Sequence, residues 1–108
     1  MKKTLIVNAH VISPGVDLRH ARIVVKGKKI ESVEPMEAKS AALAGCDTVV
    51  DVRGKYVVPG FIDVHLHGAS GSDVCDATPE AIATIAEAKL AEGCTTSCRR
   101  PSPSTTRR

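Results

Sequence analysis

The chain has 108 residues, 43% hydrophobic and 25% charged, which fits one ordinary domain or part of a larger protein and excludes wholesale disorder. Tyr56 and Phe61 are its only large aromatics and Trp is absent, which argues against a nucleic-acid binder that stacks bases. The net charge of +3 comes from a tail in which Arg99, Arg100, Arg107 and Arg108 have no acid among them. The rest is close to neutral and calls for no polyanionic partner.

The amino terminus, Met1-Lys2-Lys3 before a short apolar run, is too short for a signal-peptide core. No stretch approaches the roughly 20 apolar residues that span a bilayer. Cys46, Cys75, Cys94 and Cys98 show no C-x-x-C spacing. Together these features predict a soluble, cytoplasmic protein with reduced, mostly buried thiols and no membrane or nucleic-acid partner.

Leu5-Ile6-Val7 and Val11-Ile12 read as two short strands, ended by Pro14-Gly15. Arg22-Ile23-Val24-Val25 and Ile30-Glu31-Ser32-Val33 flank Lys26-Gly27-Lys28-Lys29, a hairpin pattern. Residues 37–43 suit a short helical turn closed by Gly45. Thr48-Val49-Val50-Asp51-Val52 is a further strand, ended by Arg53-Gly54. Residues 1–56 therefore predict a partial β-sandwich.

The pattern changes at Pro59-Gly60. Phe61 to Leu66 is nearly continuously apolar, as in a strand buried on both faces of a parallel sheet. A polar loop over residues 68–76 precedes a helix with Thr78 as N-cap, Pro79 at its first position and Glu80 at the positive end of the dipole. Ile82, Ile85, Ala86 and Leu90 share one face, and Gly93 supplies the stop. Cys94-Thr95-Thr96-Ser97 begins another strand. Residues 57–98 thus predict the first β/α unit of an incomplete TIM-type (β/α)8 barrel, giving an α/β fold with a β-rich amino-terminal part. Residues 99–108 predict a disordered basic tail.

His65 and His67 are the residues most suited to chemistry. Positions i and i+2 of a strand project from one face, at the carboxyl end where β/α barrels carry their sites. Two neutral imidazoles there supply half of a tetrahedral or trigonal-bipyramidal metal site. A bound divalent metal would polarise a carbonyl and acidify water. Asp63, on the same parity, either hydrogen-bonds a ligand imidazole or pairs with a neighbouring strand or base. Gly68 would admit the close approach of a ligand. His10 and His20 read as ordinary strand-edge histidines, and Asp73 and Asp76 as turn or cap formers.

Pro59-Gly60-Phe61-Ile62-Asp63-Val64-His65-Leu66-His67-Gly68 resembles the signature of the amidohydrolase superfamily. Asp76-Ala77-Thr78-Pro79-Glu80-Ala81 with Glu92-Gly93-Cys94-Thr95-Thr96-Ser97 resembles the N-acetylglucosamine-6-phosphate deacetylases in particular. That resemblance implies a β-sandwich beside a (β/α)8 barrel, with His65 and His67 as first-strand ligands of one or two divalent ions (Zn, Fe or Mn). It implies hydrolysis of an amino-sugar phosphate substrate, N-acetylglucosamine 6-phosphate, to glucosamine 6-phosphate and acetate by metal-activated water. Retention of both histidines favours two metals. A different cyclic-amide or N-acyl amidohydrolase of the superfamily is the alternative.

The resemblance also implies a bridging Glu, further His ligands and a catalytic Asp from later strands, none of which follows His67 here. The chain alone is therefore expected to be catalytically inactive, and its uncovered strands predict homo-oligomers or aggregation. The deacetylases continue beyond Cys98 as Pro-Thr-Thr and an apolar residue. Shifted by one base, the codons CCG-ACG-ACC-CTC-ACC-CTC for Pro-Thr-Thr-Leu-Thr-Leu read Arg-Arg-Pro-Ser-Pro-Ser, which is residues 99–104. The expectation is a frameshift after Cys98. Sequencing the coding DNA tests it: an alternative frame with no Pro-Thr-Thr at this point rules it out.

Overall fold

The computed structural model describes residues 1–100. The chain forms two compact units, Met1–Pro59 and Gly60–Arg108. In the first, β1 (Lys3–Ser13), β2 (Val16–Lys26) and β3 (Lys29–Pro35) form an antiparallel meander. The β2–β3 turn sits at Gly27, as the hairpin pattern predicts. β4 (Thr48–Asp51) and β5 (Tyr56–Val57) then both pair parallel to β1. The result is one five-stranded mixed sheet in the order β3-β2-β1-β4, with β5 also on β1.

β1 corrects the two-strand expectation: Lys3 to Ser13 is a single strand. Its register against β2 slips between Ile6 and Ala9, where Asn8 sits at φ +56°. Asn tolerates the left-handed region better than most residues, so it can absorb a bulge without ending the strand. The Asn8 side chain donates to Asp51 Oδ1 at 3.0 Å and its carbonyl accepts from Gly54 N at 2.7 Å. The bulge lets one strand edge serve two partners, β4 at residues 4–7 and β5 at residues 10–11. Val57 therefore belongs to this sheet rather than to the second unit.

Ala9, Val11, Ala21 and Ile23 make the buried core of the sheet, with Ile6, Leu18, Val25, Val52 and Val57 packed around them. Ala9 faces Ala21 across β1 and β2, so the centre is built from small side chains. A buried polar cluster closes one edge. Arg22 donates to the Met36 carbonyl at 2.8 Å, to Glu34 Oε2 at 2.9 Å and to the Ala38 carbonyl. The Ser32 hydroxyl, the Arg22 guanidinium and the Ser40 hydroxyl pull the Glu34 carboxyl down from 4.5 to about 2. Arg22 and Ser40 make well-formed hydrogen bonds to it, at 2.9 and 2.8 Å. The buried Ser32 hydroxyl makes no well-formed hydrogen bond. The helical turn expected over residues 37–43 is a single 3-10 turn, Ala41–Leu43, capped by Ser40.

In the second unit β6 (Phe61–Leu66) pairs parallel with β9 (Cys94–Arg99). Between them lie a small hairpin, β7 (Gly68–Ala69) with β8 (Ser72–Asp73), and the helix α1 (Pro79–Ala91). The helix ends are those the sequence predicts. Thr78 Oγ1 accepts from Ala81 N at 3.1 Å, Pro79 opens the helix, and Gly93 turns the chain at φ +90°. Its buried face is different. Ala81 and Ile85 are buried, Ala86 is exposed and Leu90 is 65% exposed. Lys89 lies half-buried instead, its ammonium 2.8 Å from Glu92 Oε2 and 3.9 Å from Asp63 Oδ2.

The strand expected to be buried on both faces is open. Phe61, Ile62 and Val64 are 59%, 67% and 71% exposed, because β6 has one strand neighbour, β9. The second strand runs on through Arg99, and Arg100 N donates to the Leu66 carbonyl at 2.9 Å. These two arginines are thus part of the fold, and the remainder of the expected tail lies outside the described residues. The thiols are more open than expected: Cys75 and Cys98 are exposed, Cys46 and Cys94 half-buried, and none is in a disulfide. No helix among the described residues is long and apolar enough to cross a membrane.

Two outcomes check this description. Ile85→Ala should cost about 2–5 kcal/mol, whereas Leu90→Ala should stay within about 0.5 kcal/mol; urea unfolding in which Leu90→Ala costs as much as Ile85→Ala would mean the helix packs on its expected face. Glu34 titrates below its unfolded value, so its contribution is present above about pH 4.5 and is lost as pH falls toward about 2. Urea midpoints should therefore fall over that window in the native chain and fall less in Glu34→Gln. Equal slopes in both would remove the role assigned to this carboxylate.

Candidate metal centre

A parallel strand pair cannot be joined by a tight turn, so the chain leaving β6 must cross over before β9 begins. That crossover starts at His67, one residue past the end of the strand. His65 and His67 consequently stand together where β6 gives way to the loop. Their Nε2 atoms are 2.9 Å apart and their rings meet edge-on, at 82° with centroids 4.7 Å apart. His65 is exposed and His67 half-buried. On its other side, His67 Nδ1 lies 3.0 Å from the Arg100 carbonyl oxygen at the end of β9.

The separation suits two donors in adjacent positions around one divalent cation, whose bonds to imidazole run about 2.0–2.1 Å. Imidazole nitrogens suit several first-row divalent cations and by themselves select none of them. Among the described residues no third His, Cys, Asp or Glu joins the pair to complete a metal-binding group.

Asp63 takes the second of its two readings. Its Oδ1 accepts from the His65 main-chain N–H at 3.1 Å, and its Oδ2 faces Lys89. It steadies the strand beneath the imidazoles rather than a ring nitrogen. Lys89 is held protonated above its usual range, first by Glu92 and further by Asp63 and Cys94. Gly68 also has a different reason from the one expected. A Cβ there would collide with the Ser72 carbonyl, so the close approach it permits is that of the β7–β8 hairpin.

Asp73 and Asp76 form a reciprocal cap on the turn Val74–Asp76. Asp73 N donates to Asp76 Oδ2 at 2.9 Å, and Cys75 N donates to Asp73 Oδ1 at 2.7 Å. Cys75 lowers the Asp73 pKa most, and His67 adds a smaller electrostatic contribution. Asp73 is thus within electrostatic reach of His67, a link not read from the sequence. His10 is not free-standing either: it lies 2.7 Å from Asp17 and its ring packs on Tyr56. His20 is exposed on β2.

No protein-family profile matches the chain. The dihydroorotase of Elusimicrobium minutum is 35% identical over 104 residues, covering 92% of this chain and 21% of that protein. The N-acetylglucosamine-6-phosphate deacetylase of Pasteurella multocida superposes with a TM-score of 0.81 at 26% identity, over 96% of this chain and 27% of that one. The chain carries part of the amidohydrolase superfamily fold. The corresponding deacetylase of Mycobacterium smegmatis, solved as a variant with N-acetyl-D-glucosamine-6-phosphate, superposes with a TM-score of 0.73 at 26% identity, over 92% and 24% of the two chains. These amidohydrolases pair a β-sandwich with a TIM barrel, and the two units here match part of that architecture. The chain spans about a fifth of the length of the curated relatives it matches.

Proposed function

We propose that the whole protein to which these strands belong is a divalent-metal-dependent amidohydrolase, with His65 and His67 as two of its metal ligands. The observation that carries this reading is the 2.9 Å approach of the two Nε2 atoms at the carboxyl end of β6. Members of the superfamily are generally dependent on divalent metals. A cation held here would supply Lewis-acid polarisation of an amide carbonyl and would acidify water. The residues of this chain present the two nitrogens, steady β6 through Asp63 and hold His67 through the Arg100 carbonyl.

We propose N-acetylglucosamine 6-phosphate as the substrate of the whole protein, cleaved to glucosamine 6-phosphate and acetate. This reading is supported by the downstream pattern from Asp76 to Ser97 and by the superposition on two deacetylases over more than nine-tenths of the chain. A cyclic-amide substrate is the second reading, favoured by the 35% identity to a dihydroorotase. Assay of the whole protein separates them. Acetate release from N-acetylglucosamine 6-phosphate that is abolished by His67→Ala is the expected outcome; opening of dihydroorotate with no acetate release would assign the second.

For the chain of 108 residues by itself, we propose self-association and no hydrolysis. The exposure of Phe61, Ile62 and Val64 on a strand with a single neighbour supports this. Size-exclusion chromatography with light scattering should show species larger than one chain, and a compact monomer at high concentration would contradict it.

A further inference from the structure

The two imidazoles are not equivalent. A carbonyl oxygen only accepts, so the contact between His67 Nδ1 and the Arg100 carbonyl at 3.0 Å requires the proton of His67 to be on Nδ1. A neutral imidazole carries one N–H, which leaves His67 Nε2 with its lone pair. His65 Nε2 lies 2.9 Å from that lone pair. Two bare nitrogens would oppose lone pairs across this gap and two protonated ones would oppose hydrogens. With both rings neutral, one arrangement satisfies both contacts: His65 carries its proton on Nε2 and donates to His67.

We infer that the main-chain carbonyl of Arg100 is the positioning group of the pair, fixing His67 as the standing ligand and leaving His65 as the one that must change. His67 already presents the nitrogen that a cation needs. His65 joins it only when its proton moves from Nε2 to Nδ1, a shift within one ring that changes no net charge. The exposure of His65 leaves water free to carry that proton. Arg100 in turn is placed by the last bond of the β6–β9 ladder, its N–H to the Leu66 carbonyl at 2.9 Å. The second strand thus sets the tautomer of a residue on the first. The consequence for metal binding rests on the function proposed above, whereas the tautomers themselves do not.

Long-range proton–nitrogen correlation spectra of the nitrogen-15-labelled chain read the tautomers directly, at about pH 8 where histidines are neutral. The expected pattern is His67 in its Nδ1–H form and His65 in its Nε2–H form. Arg100→Ala keeps the carbonyl and should keep the pattern. Arg100→Pro cannot donate to the Leu66 carbonyl, so the strand end is released and His67 should return to the Nε2–H form preferred by free histidine. His67 found as Nε2–H in the unaltered chain, or unmoved in Arg100→Pro, overturns the inference. Added zinc should then convert His65 to the Nδ1–H form and leave the His67 proton in place. If the metal-free tautomers are as assigned but zinc moves neither ring, the positioning role stands and the metal reading fails.

Discussion

Parallel pairing of β6 with β9 is the constraint on which the second unit depends. Parallel strands need a crossover, and a crossover needs a helix long enough to return the chain to the starting end. α1 does this in 13 residues, opened by Thr78 and Pro79 and turned at Gly93. The pairing also decides what lies at the far end of the strands. Leu66 accepts from Arg100, so the last residues of β6 and the residue after β9 arrive side by side. The imidazoles of His65 and His67 stand at that junction, and the main-chain carbonyl of Arg100, just past β9, supplies the hydrogen-bond acceptor for His67.

The first unit solves another problem with β1. One strand pairs antiparallel with β2 along its length and parallel with both β4 and β5 on its other edge. The bulge at Asn8 separates the two parallel segments, and Asp51 holds it by accepting from the Asn8 side chain. Asn8 and Arg53 bring the Asp51 carboxyl below its usual range, which keeps this acceptor ionised. The centre of the sheet is Ala9 against Ala21, so side-chain bulk contributes little there. Arg22 ties the end of β3 to the chain that follows, through Glu34 and two carbonyls.

Much of this was legible in the residues. Thr78-Pro79 and Gly93 mark helix ends by their own conformational preferences, so α1 is located correctly from sequence. His65 and His67 share a strand parity, and the fold brings their Nε2 atoms together. What escaped depends on neighbours distant in sequence. The bulge at Asn8 reads as a break because its partner Asp51 lies 43 residues away. The buried face of α1 is misjudged because Lys89 looks like a solvent residue until Asp63 and Glu92 draw it inward. The Arg100 carbonyl has no sequence signal, since every residue has one.

The central claim is that His65 and His67 bind one cation together. X-ray absorption at the zinc edge, on the chain loaded with one equivalent of zinc, tests it most directly. Two imidazole nitrogens at about 2.0–2.1 Å, falling to one in His65→Ala, is the result predicted. A first shell of sulfur at about 2.3 Å would instead place the metal on the cysteines, and an oxygen-only shell would leave the imidazoles unliganded; either contradicts the account.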